Sequence, residues 1–167
     1  MNKRWLFGLG FLLSCSLPVI AEENVTIAVT LPAVEGPMYY RPYVAVWIEN
    51  DQGEAIKNLA LWSKEPDWLK DMRRWWRKSG RYGGSDIDAV SGATRRPGTY
   101  ELTWDGKNAE GNAVPAGRYS VHLEAAREHG SRSWVHTEIE LGQGQKNYTI
   151  EASEELGTIQ ITTGVTQ

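Results

Sequence analysis

Apolar and polar residues alternate along most of the chain that follows its first two dozen positions. The segment NVTIAVTL at 24–31 has an apolar side chain at every second position, the pattern of a strand with one buried face. Two further segments of this kind, YVAVWI at 43–48 and AIKNLALW at 55–62, are separated by the turn sequence ENDQG. These three consecutive segments predict neighbouring strands of an antiparallel sheet.

The alternating pattern returns after Pro97. Further strands are predicted at residues 98–104, 119–123, 133–141, 147–151 and 157–163. Short sequences rich in Gly, Asn and Asp, with one Pro-Ala-Gly, mark the turns between them. About eight short strands with turns at these intervals predict a mainly β protein with the architecture of an antiparallel β-sandwich.

Residues 64–97 interrupt the strand pattern and are dense in Trp, Arg and Gly. Within EPDWLKDMRRWWRK at 65–78, four apolar residues recur at the spacing of one helical side: Trp68, Met72, Trp75 and Trp76. They predict a single helix. We interpret Trp68 and Met72 as packing residues that seal this helix onto the sheet. The whole segment 64–97 is interpreted as a functional insertion at one edge or end of the sheet.

The stretch YELTWDGKNAEGNAVPAGRYSVHLEA, residues 100–125, gives a first resemblance. Its WDG, GN and PAG-x-Y elements resemble the immunoglobulin-like domain of flagellar hook-capping proteins. The resemblance implies an immunoglobulin-like sandwich that carries one helical, Trp- and Arg-rich insertion. The chain after residue 21, with its Trp-rich helix followed by DAVSGATRRPG, also resembles an uncharacterised family of predicted periplasmic proteins.

The first residues have the composition of an export signal. A basic start and an apolar run lead to the small residue Ala21, which stands at a cleavage position. We expect a signal peptide at 1–21 and a mature single β-sandwich domain at 22–167, without a transmembrane segment. Cys15, the only cysteine, lies in LLSC, which resembles the lipobox of bacterial lipoproteins. A lipoprotein anchored through Cys15 is therefore the alternative to a soluble periplasmic protein.

Charge and metal-binding residues narrow the classes of function. The chain has 18 Lys and Arg against 21 Asp and Glu, a net charge of -3, which does not favour nucleic-acid binding. The three histidines are assigned to two different strands, at His122 and His136, and to a turn, at His129. Without cysteines or acidic residues at ligand spacing, they do not predict a metal site.

The heptapeptide DAVSGAT, residues 88–94, carries the candidate chemistry. It is similar to the D-x-x-[ST]-G-A-[ST] signature at which ApbE-type flavin transferases attach FMN, as in the flavin-carrying subunits of sodium-pumping NADH:quinone reductases and Rnf complexes. The resemblance implies that Thr94 bears FMN through a phosphoester. It also assigns Asp88, Ser91, Gly92 and Ala93 to the attachment motif.

The residue types suit that chemistry. An acceptor hydroxyl must enter the active site of another enzyme on a narrow stretch of backbone, and Gly92 and Ala93 remove side-chain bulk beside Thr94. Ser91 is able to hydrogen-bond locally and hold the shape of the segment. The alternative is that DAVSGAT is an ordinary Gly-containing surface turn.

Aromatic and basic residues near the motif are candidates for holding the flavin. Trp75, Trp76 and Tyr82 are able to stack on its ring. Arginines are able to pair with its phosphate: Arg73, Arg74, Arg77, Arg95 and Arg96. The alternative is that the tryptophans pack the helix onto the sheet and the arginines form its solvated side.

Together these features predict a periplasmic electron-transfer protein that carries covalent FMN and is a substrate of a flavin transferase rather than an enzyme itself. Its expected partners are an ApbE-type flavin transferase and a periplasmic or membrane redox protein. The alternative is a non-redox, immunoglobulin-like binding or assembly module that docks a periplasmic partner through its basic, Trp-rich insertion.

Overall fold

The computed structural model describes residues 23–33, 39–83 and 85–165. The predicted signal peptide and Cys15 lie outside these residues. Within them the chain forms nine strands: β1 Asn24–Leu31, β2 Tyr43–Glu49, β3 Ala55–Trp62, β4 Ser91–Gly92, β5 Gly98–Trp104, β6 Gly117–Ala126, β7 Arg132–Leu141, β8 Lys146–Ile150 and β9 Ile159–Val165. The mainly β composition is as predicted, and most predicted strands agree with the observed bounds to within two residues.

The strands form two sheets. One has the order β5-β1-β9-β8 and the other the order β4-β3-β2-β6-β7. Strands β2 and β3 are a hairpin, but β1 pairs with β5 and β9 in the other sheet. The prediction that the first three strands are neighbours in one sheet is therefore wrong, because alternation indicates which face of a strand is buried and not which strand it pairs with.

The two sheets pack their inner faces around one core. Alternate residues of β1, such as Val25 and Ile27, meet alternate residues of β2, such as Val44 and Val46, and all four are completely buried. Strand β2 is buried along its whole length, on both of its faces. Its second face is covered by helical residues between β3 and β4, of which Met72, Trp75 and Ile87 form a second apolar cluster with Tyr43, Ala45 and Trp47.

The insertion consists of short pieces rather than one long helix. A 3₁₀ helix at Pro66–Asp71 is followed by α1 at Arg73–Lys78, and a second α-helix, α2, covers Ser85–Val90. Met72 has a non-helical backbone (φ −79°, ψ 73°) between the first two pieces. The predicted continuous helix at 65–78 is therefore wrong. The alternative of an ordinary surface turn does not describe the first half of DAVSGAT either, because residues 88–90 belong to α2.

Because of this break, Trp75 is buried and Trp68 is partly exposed. Trp75 is 1% exposed and Met72 is fully buried, whereas Trp68 is 36% exposed and stacks on Tyr43 with ring centroids 6.1 Å apart. The packing role predicted for Met72 is confirmed. Trp68 fulfils its predicted role only in part, because one face stacks on Tyr43 while the side chain remains 36% exposed. A 3₁₀ helix has three residues per turn, so the 3.6-residue phase that related Trp68 to Trp75 does not run through Met72.

A buried carboxylate holds α1 to the sheet. Glu124 of β6 is completely buried, and its two oxygens accept the backbone N–H groups of Arg74 (3.2 Å) and Trp75 (2.7 Å). Arg132 of β7 donates to the same carboxylate at 2.5 Å. Met72, at the N-cap position, supplies no side-chain hydrogen bond. Glu124 therefore caps the N-terminus of α1 from a different element of the fold.

Beside it lies a ladder of aromatic rings across three strands. Trp47, His122 and His136 are cross-strand neighbours on β2, β6 and β7, and their successive ring centroids are each 5.1 Å apart. His122 is 2% exposed, and its Nδ1 accepts the indole N–H of Trp134 at 3.3 Å. The buried carboxylate of Glu49 lies 3.6 Å from its Nε2.

This surrounding gives His122 a measurable effect on stability. Burial lowers the pKa of His122 from 6.5 to about 4, opposed by the Glu49 carboxylate and assisted by His136, Arg74 and Lys78. Between those two pH values the unfolded chain binds a proton that the folded chain excludes, so stability is complete above pH 6.5 and falls as the pH decreases toward 4. We expect His122 to contribute a loss of about 2–3 kcal/mol between pH 7 and pH 4.5.

Urea unfolding of the parent protein and of His122→Gln at both pH values checks this expectation. The variant should lose less stability on acidification than the parent, whatever its stability at pH 7. Equal losses in the two proteins would show that His122 already has an ordinary pKa in the fold.

Candidate functional site

The motif DAVSGAT spans the end of α2, all of β4 and the connection to β5. Ser91 and Gly92 pair in parallel with Leu61 and Trp62 of β3, and the backbone N–H of Ser63 donates to the Gly92 carbonyl at 2.8 Å. The Ser91 hydroxyl donates to the Ile87 carbonyl at 2.7 Å, a local hydrogen bond of the kind predicted for it. The five-stranded sheet is therefore antiparallel except at this edge.

Gly92 is not required by the backbone of this fold. Its φ lies outside the positive region that favours glycine, and a Cβ added there would meet only Trp62, at 4.0 Å, in ordinary van der Waals contact. Both Gly92 and Ala93 are exposed. Their small size therefore leaves the approach to Thr94 open without serving the packing of the protein.

Strand register determines what surrounds Thr94. Tyr43 begins β2, and the next residue, Val44, pairs with Trp62, the last residue of β3. Gly92 also pairs with Trp62, so β4 ends at this same end of the sheet. Strand β6 ends there as well, because its last residue, Ala126, pairs with Tyr43. The residues that follow β3, β4 and β6, and those that precede β2, are therefore brought together.

The Thr94 cleft lies at this end of the sheet. It is a cavity of about 240 Å³ lined by Thr94 with Tyr39, Tyr40, Arg41, Tyr43, Lys64 and Glu128. The residues come from four separate parts of the chain. Three tyrosine rings and two cationic side chains thus surround the hydroxyl that the motif marks as an acceptor.

Two of the tyrosines in the cleft, Tyr39 and Tyr43, have raised pKa values. Burial raises the pKa of Tyr39 above its ordinary value, and burial together with the nearby Glu128 carboxylate raises that of Tyr43. Both phenols therefore stay protonated and are hydrogen-bond donors at neutral pH. The hydroxyl of Tyr39 is buried and has no hydrogen-bond partner among the described residues. A buried donor of this kind is costly unless a ligand or water pairs with it.

A second, apolar cleft flanks the other part of the motif. It has a volume of about 260 Å³, and its apolar surface comes from Leu61, Pro66 and Leu69. The other lining residues are Ser63, Lys64, Glu65, Ser91 and Gly92. The segment from Ser91 to Thr94 therefore runs between two cavities of different character, an apolar one and an aromatic, cationic one.

The chain matches the family described as "Predicted periplasmic protein (DUF2271)" over residues 24–158. The chain belongs to this family. A comparison with curated proteins returned no match. The helices of residues 23–33, 39–83 and 85–165 include none that is long and apolar enough to cross a membrane. The family thus has a periplasmic description, and that description states no cofactor or activity.

For this member of the family, the structure separates the sequence-predicted flavin contacts from Thr94. Trp75 lies on the buried side of α1, and its indole N–H donates to the Asn58 side chain at 2.9 Å. Its ring therefore has no free face for stacking. Trp76 is partly buried against the second apolar cluster. Tyr82 is 72% exposed but lies in a different depression, with Asp86 and Ile87. The stacking role predicted for Trp75 is wrong.

The predicted arginines and acidic residues are placed as follows. Arg95 lies over the rings of Trp62 and Tyr100, at 5.5 and 5.6 Å, rather than in the Thr94 cleft. Asp88 is exposed on α2. The neighbouring Asp86 instead accepts a hydrogen bond from the Asn58 side chain at 2.7 Å. Asp86 therefore ties α2 to β3, whereas Asp88 forms no side-chain hydrogen bond or ion pair with the described residues.

The lining residues that sequence reasoning missed are chiefly those of the run YYRPY at 39–43. Three of the chain's seven tyrosines occur within these five positions, beside a basic residue. That density was a usable signal of an aromatic site. Its position some fifty residues before Thr94 gave no indication, without the strand pairing, that the two segments meet.

Proposed function

We propose that this chain is a periplasmic electron carrier that bears FMN on Thr94. The observation that carries the proposal is the position of Thr94: its half-buried side chain follows a small, exposed, extended segment and lines a cleft of tyrosines and cations. Extended backbone suits entry into the active site of a transferase, and the cleft suits an aromatic, anionic group. We also propose that residues 1–21 direct export, with lipid attachment at Cys15 as the alternative.

The attachment step needs no base from this chain. The Thr94 oxygen forms a bond to the phosphorus on the flavin side of FAD, the bond from that phosphorus to the bridging oxygen breaks, and AMP leaves. The hydroxyl proton passes to a base of the transferase or to water, and nothing is oxidised or reduced.

The residues around Thr94 fit the group that the motif implies. Its flavin ring would accept and release electrons, and the protein would supply position and electrostatics. Lys64 and Arg41 are cations suited to an anionic phosphodiester, and the Tyr39 hydroxyl is a buried donor without a partner among the described residues. Covalent attachment also prevents the loss of a diffusible cofactor outside the cytoplasm.

We further propose that the two sheets form an immunoglobulin-like sandwich, as the resemblance to the hook-capping domain implies. Support comes from Tyr119 near the start of β6, whose hydroxyl donates to the Pro115 carbonyl four positions upstream at 2.7 Å. Trp104 packs edge-on against the Tyr119 ring at 5.4 Å. A tyrosine that bonds back to the preceding backbone in this way is typical of such sandwiches.

The test is co-expression of the exported chain with an ApbE-type flavin transferase, followed by intact-mass measurement. We expect one adduct, with the mass of FMN less one water, and flavin fluorescence that persists on a denaturing gel. Expression without the transferase is the control. Absence of the adduct, under conditions in which the same transferase modifies an established acceptor protein, would refute the carrier proposal.

The second candidate is a non-redox module that docks a periplasmic partner. The observation that favours it is the exposure of Trp68, Tyr82 and Arg77 on the insertion. Aromatic and arginine side chains are enriched where proteins bind one another. This candidate predicts a chain that functions without any flavin adduct, so the same mass measurement separates the two.

A further inference from the structure

We propose that the Thr94 cleft is the docking site of the attached flavin, with its ring against Tyr39 and Tyr40 and its phosphate beside Lys64 and Arg41. This inference rests on the proposed function. It goes further by assigning a binding site to residues outside the attachment motif. The consequence is a flavin held against the protein rather than one that extends freely into solvent.

Attachment limits which cavity the flavin can occupy. The phosphate is bonded to the Thr94 oxygen, and Thr94 lines the aromatic, cationic cleft. The apolar cleft on the other part of the motif is lined by Ser91 and Gly92 instead. Its only lysine is Lys64, which it shares with the Thr94 cleft. An anionic phosphodiester is better placed among the cations of the Thr94 cleft than beside an apolar wall.

The aromatic wall is positioned by the rest of the fold. Tyr43 is the first residue of β2 and is only 3% exposed, and Trp68 stacks on its ring. The half-buried Tyr40 ring meets His129 edge-on at 5.5 Å. Side chains held in this way lose little further conformational freedom when a flat ring stacks against them.

The Tyr39 hydroxyl supplies a polar contact that the unmodified protein leaves unused. It is buried without a hydrogen-bond partner among the described residues, and burial raises its pKa. A flavin ring carries carbonyl oxygens and ring nitrogens that accept hydrogen bonds. Donation to one of these acceptors would satisfy the hydroxyl, and the site then gains a bond where it previously carried the cost of a buried, unpaired donor.

The charges of the cleft suit a flavin bound through a phosphodiester. Lys64 and Arg41 are exposed at its rim, and Glu128 is the one carboxylate among the described lining residues. Two cations and one carboxylate leave an excess of one positive charge for the single negative charge of the phosphodiester. Lys64 lies two residues beyond Trp62, the last residue of β3, so it is at the same end of the sheet as Thr94.

The experiment compares flavin fluorescence and its quenching by iodide in fully flavinylated proteins. The test variants are Tyr39→Phe, Tyr40→Leu and Lys64→Gln. The matched controls are Tyr82→Leu, which removes an exposed tyrosine of the insertion, and Lys70→Gln, which removes an exposed lysine of the same insertion. Intact mass first verifies that each protein carries one FMN, so that differences in fluorescence do not reflect differences in loading.

In the parent protein we expect fluorescence well below that of free FMN, because a tyrosine stacked on the ring quenches it. Tyr40→Leu should raise fluorescence several-fold and increase iodide quenching roughly two- to tenfold, the range that corresponds to the energy of one aromatic pair. Tyr39→Phe should shift the flavin absorption maximum. Lys64→Gln should increase iodide quenching less than Tyr40→Leu, and both controls should match the parent.

Two outcomes would overturn the inference in distinguishable ways. If the parent gains no FMN, the proposed function fails and the docking site fails with it. If every protein is flavinylated but the test variants match the two controls in fluorescence, absorption and iodide quenching, the carrier stands and the flavin does not occupy the Thr94 cleft.

Discussion

Replacement of Thr94 by alanine is expected to abolish covalent FMN while leaving the stability of the protein nearly unchanged. The hydroxyl oxygen is the atom that must bond to phosphorus, and alanine has none. The side chain lies in the connection between β4 and β5, where substitutions usually alter stability by less than about 0.5 kcal/mol. Thr94→Ser keeps the hydroxyl and should retain part of the modification. Intact mass after co-expression with the transferase measures all three proteins.

The neighbouring positions provide sharper controls. Thr99→Ala removes a nearby hydroxyl, on β5, that is hydrogen-bonded to Thr30 at 3.1 Å. This change should leave the FMN adduct intact. Gly92→Ala should fold normally, because the added Cβ meets only Trp62. Gly92→Val should fold but lose the adduct, since its branched side chain obstructs the approach to Thr94. An adduct that survives in Thr94→Ala would place the modification on another residue.

Truncation of Glu124 is expected to be among the most destabilising single changes in this chain. Glu124→Ala leaves the amides of Arg74 and Trp75 and the guanidinium of Arg132 without their buried acceptor. A backbone donor left without its buried acceptor costs about 1–3 kcal/mol, and two are lost here, whereas the Arg132 side chain is 41% exposed and is able to hydrate. Glu124→Gln keeps the shape but turns amide hydrogens toward donors, so its cost should be intermediate. Urea unfolding at pH 7 measures both.

Glu138→Ala is the matched control for this prediction. Glu138 lies on the adjacent strand β7, but its carboxylate is 65% exposed and pairs only at the surface with Arg118, at 3.6 Å. Exposed pairs of this kind contribute about 0–1 kcal/mol. If Glu124→Ala is no more destabilising than Glu138→Ala, the attachment of α1 to the sheet does not depend on the buried carboxylate.

The strands were predictable from the sequence because their pattern is local. Val25, Ile27 and Val29 alternate with polar or small neighbours, and this period identifies a strand whatever it pairs with. The same pattern was misleading on β6. His122 and Glu124 occupy the polar positions of that strand and look like residues of a solvated face, yet both are buried. Both side chains are covered by α1. Period-two alternation within a strand does not indicate whether another element packs on its polar face.

The candidate site also has one part that is predictable from local sequence and one part that is not. The proposed acceptor Thr94 and its small neighbours form one short motif, so a local pattern was sufficient to propose them. The cleft around Thr94 depends on pairings between strands that are distant in sequence, which bring Tyr39 and Lys64 to the same end of the sheet. Trp75 lies near the motif in the sequence, but its side chain is buried against the sheet. Spatial neighbours of a motif follow from strand register rather than from distance along the chain.

The residues of the Thr94 cleft are far apart in the sequence, so transfer of the DAVSGAT motif to another protein would not transfer the cleft. Tyr39 to Tyr43, Lys64, Thr94 and Glu128 come from four places in the chain and meet only because four strands end together. A peptide tag with the sequence DAVSGAT would transplant the acceptor hydroxyl alone. A flavin attached to such a tag would be strongly fluorescent and exposed to solvent. A shielded cofactor would require this end of the sheet in addition to the tag.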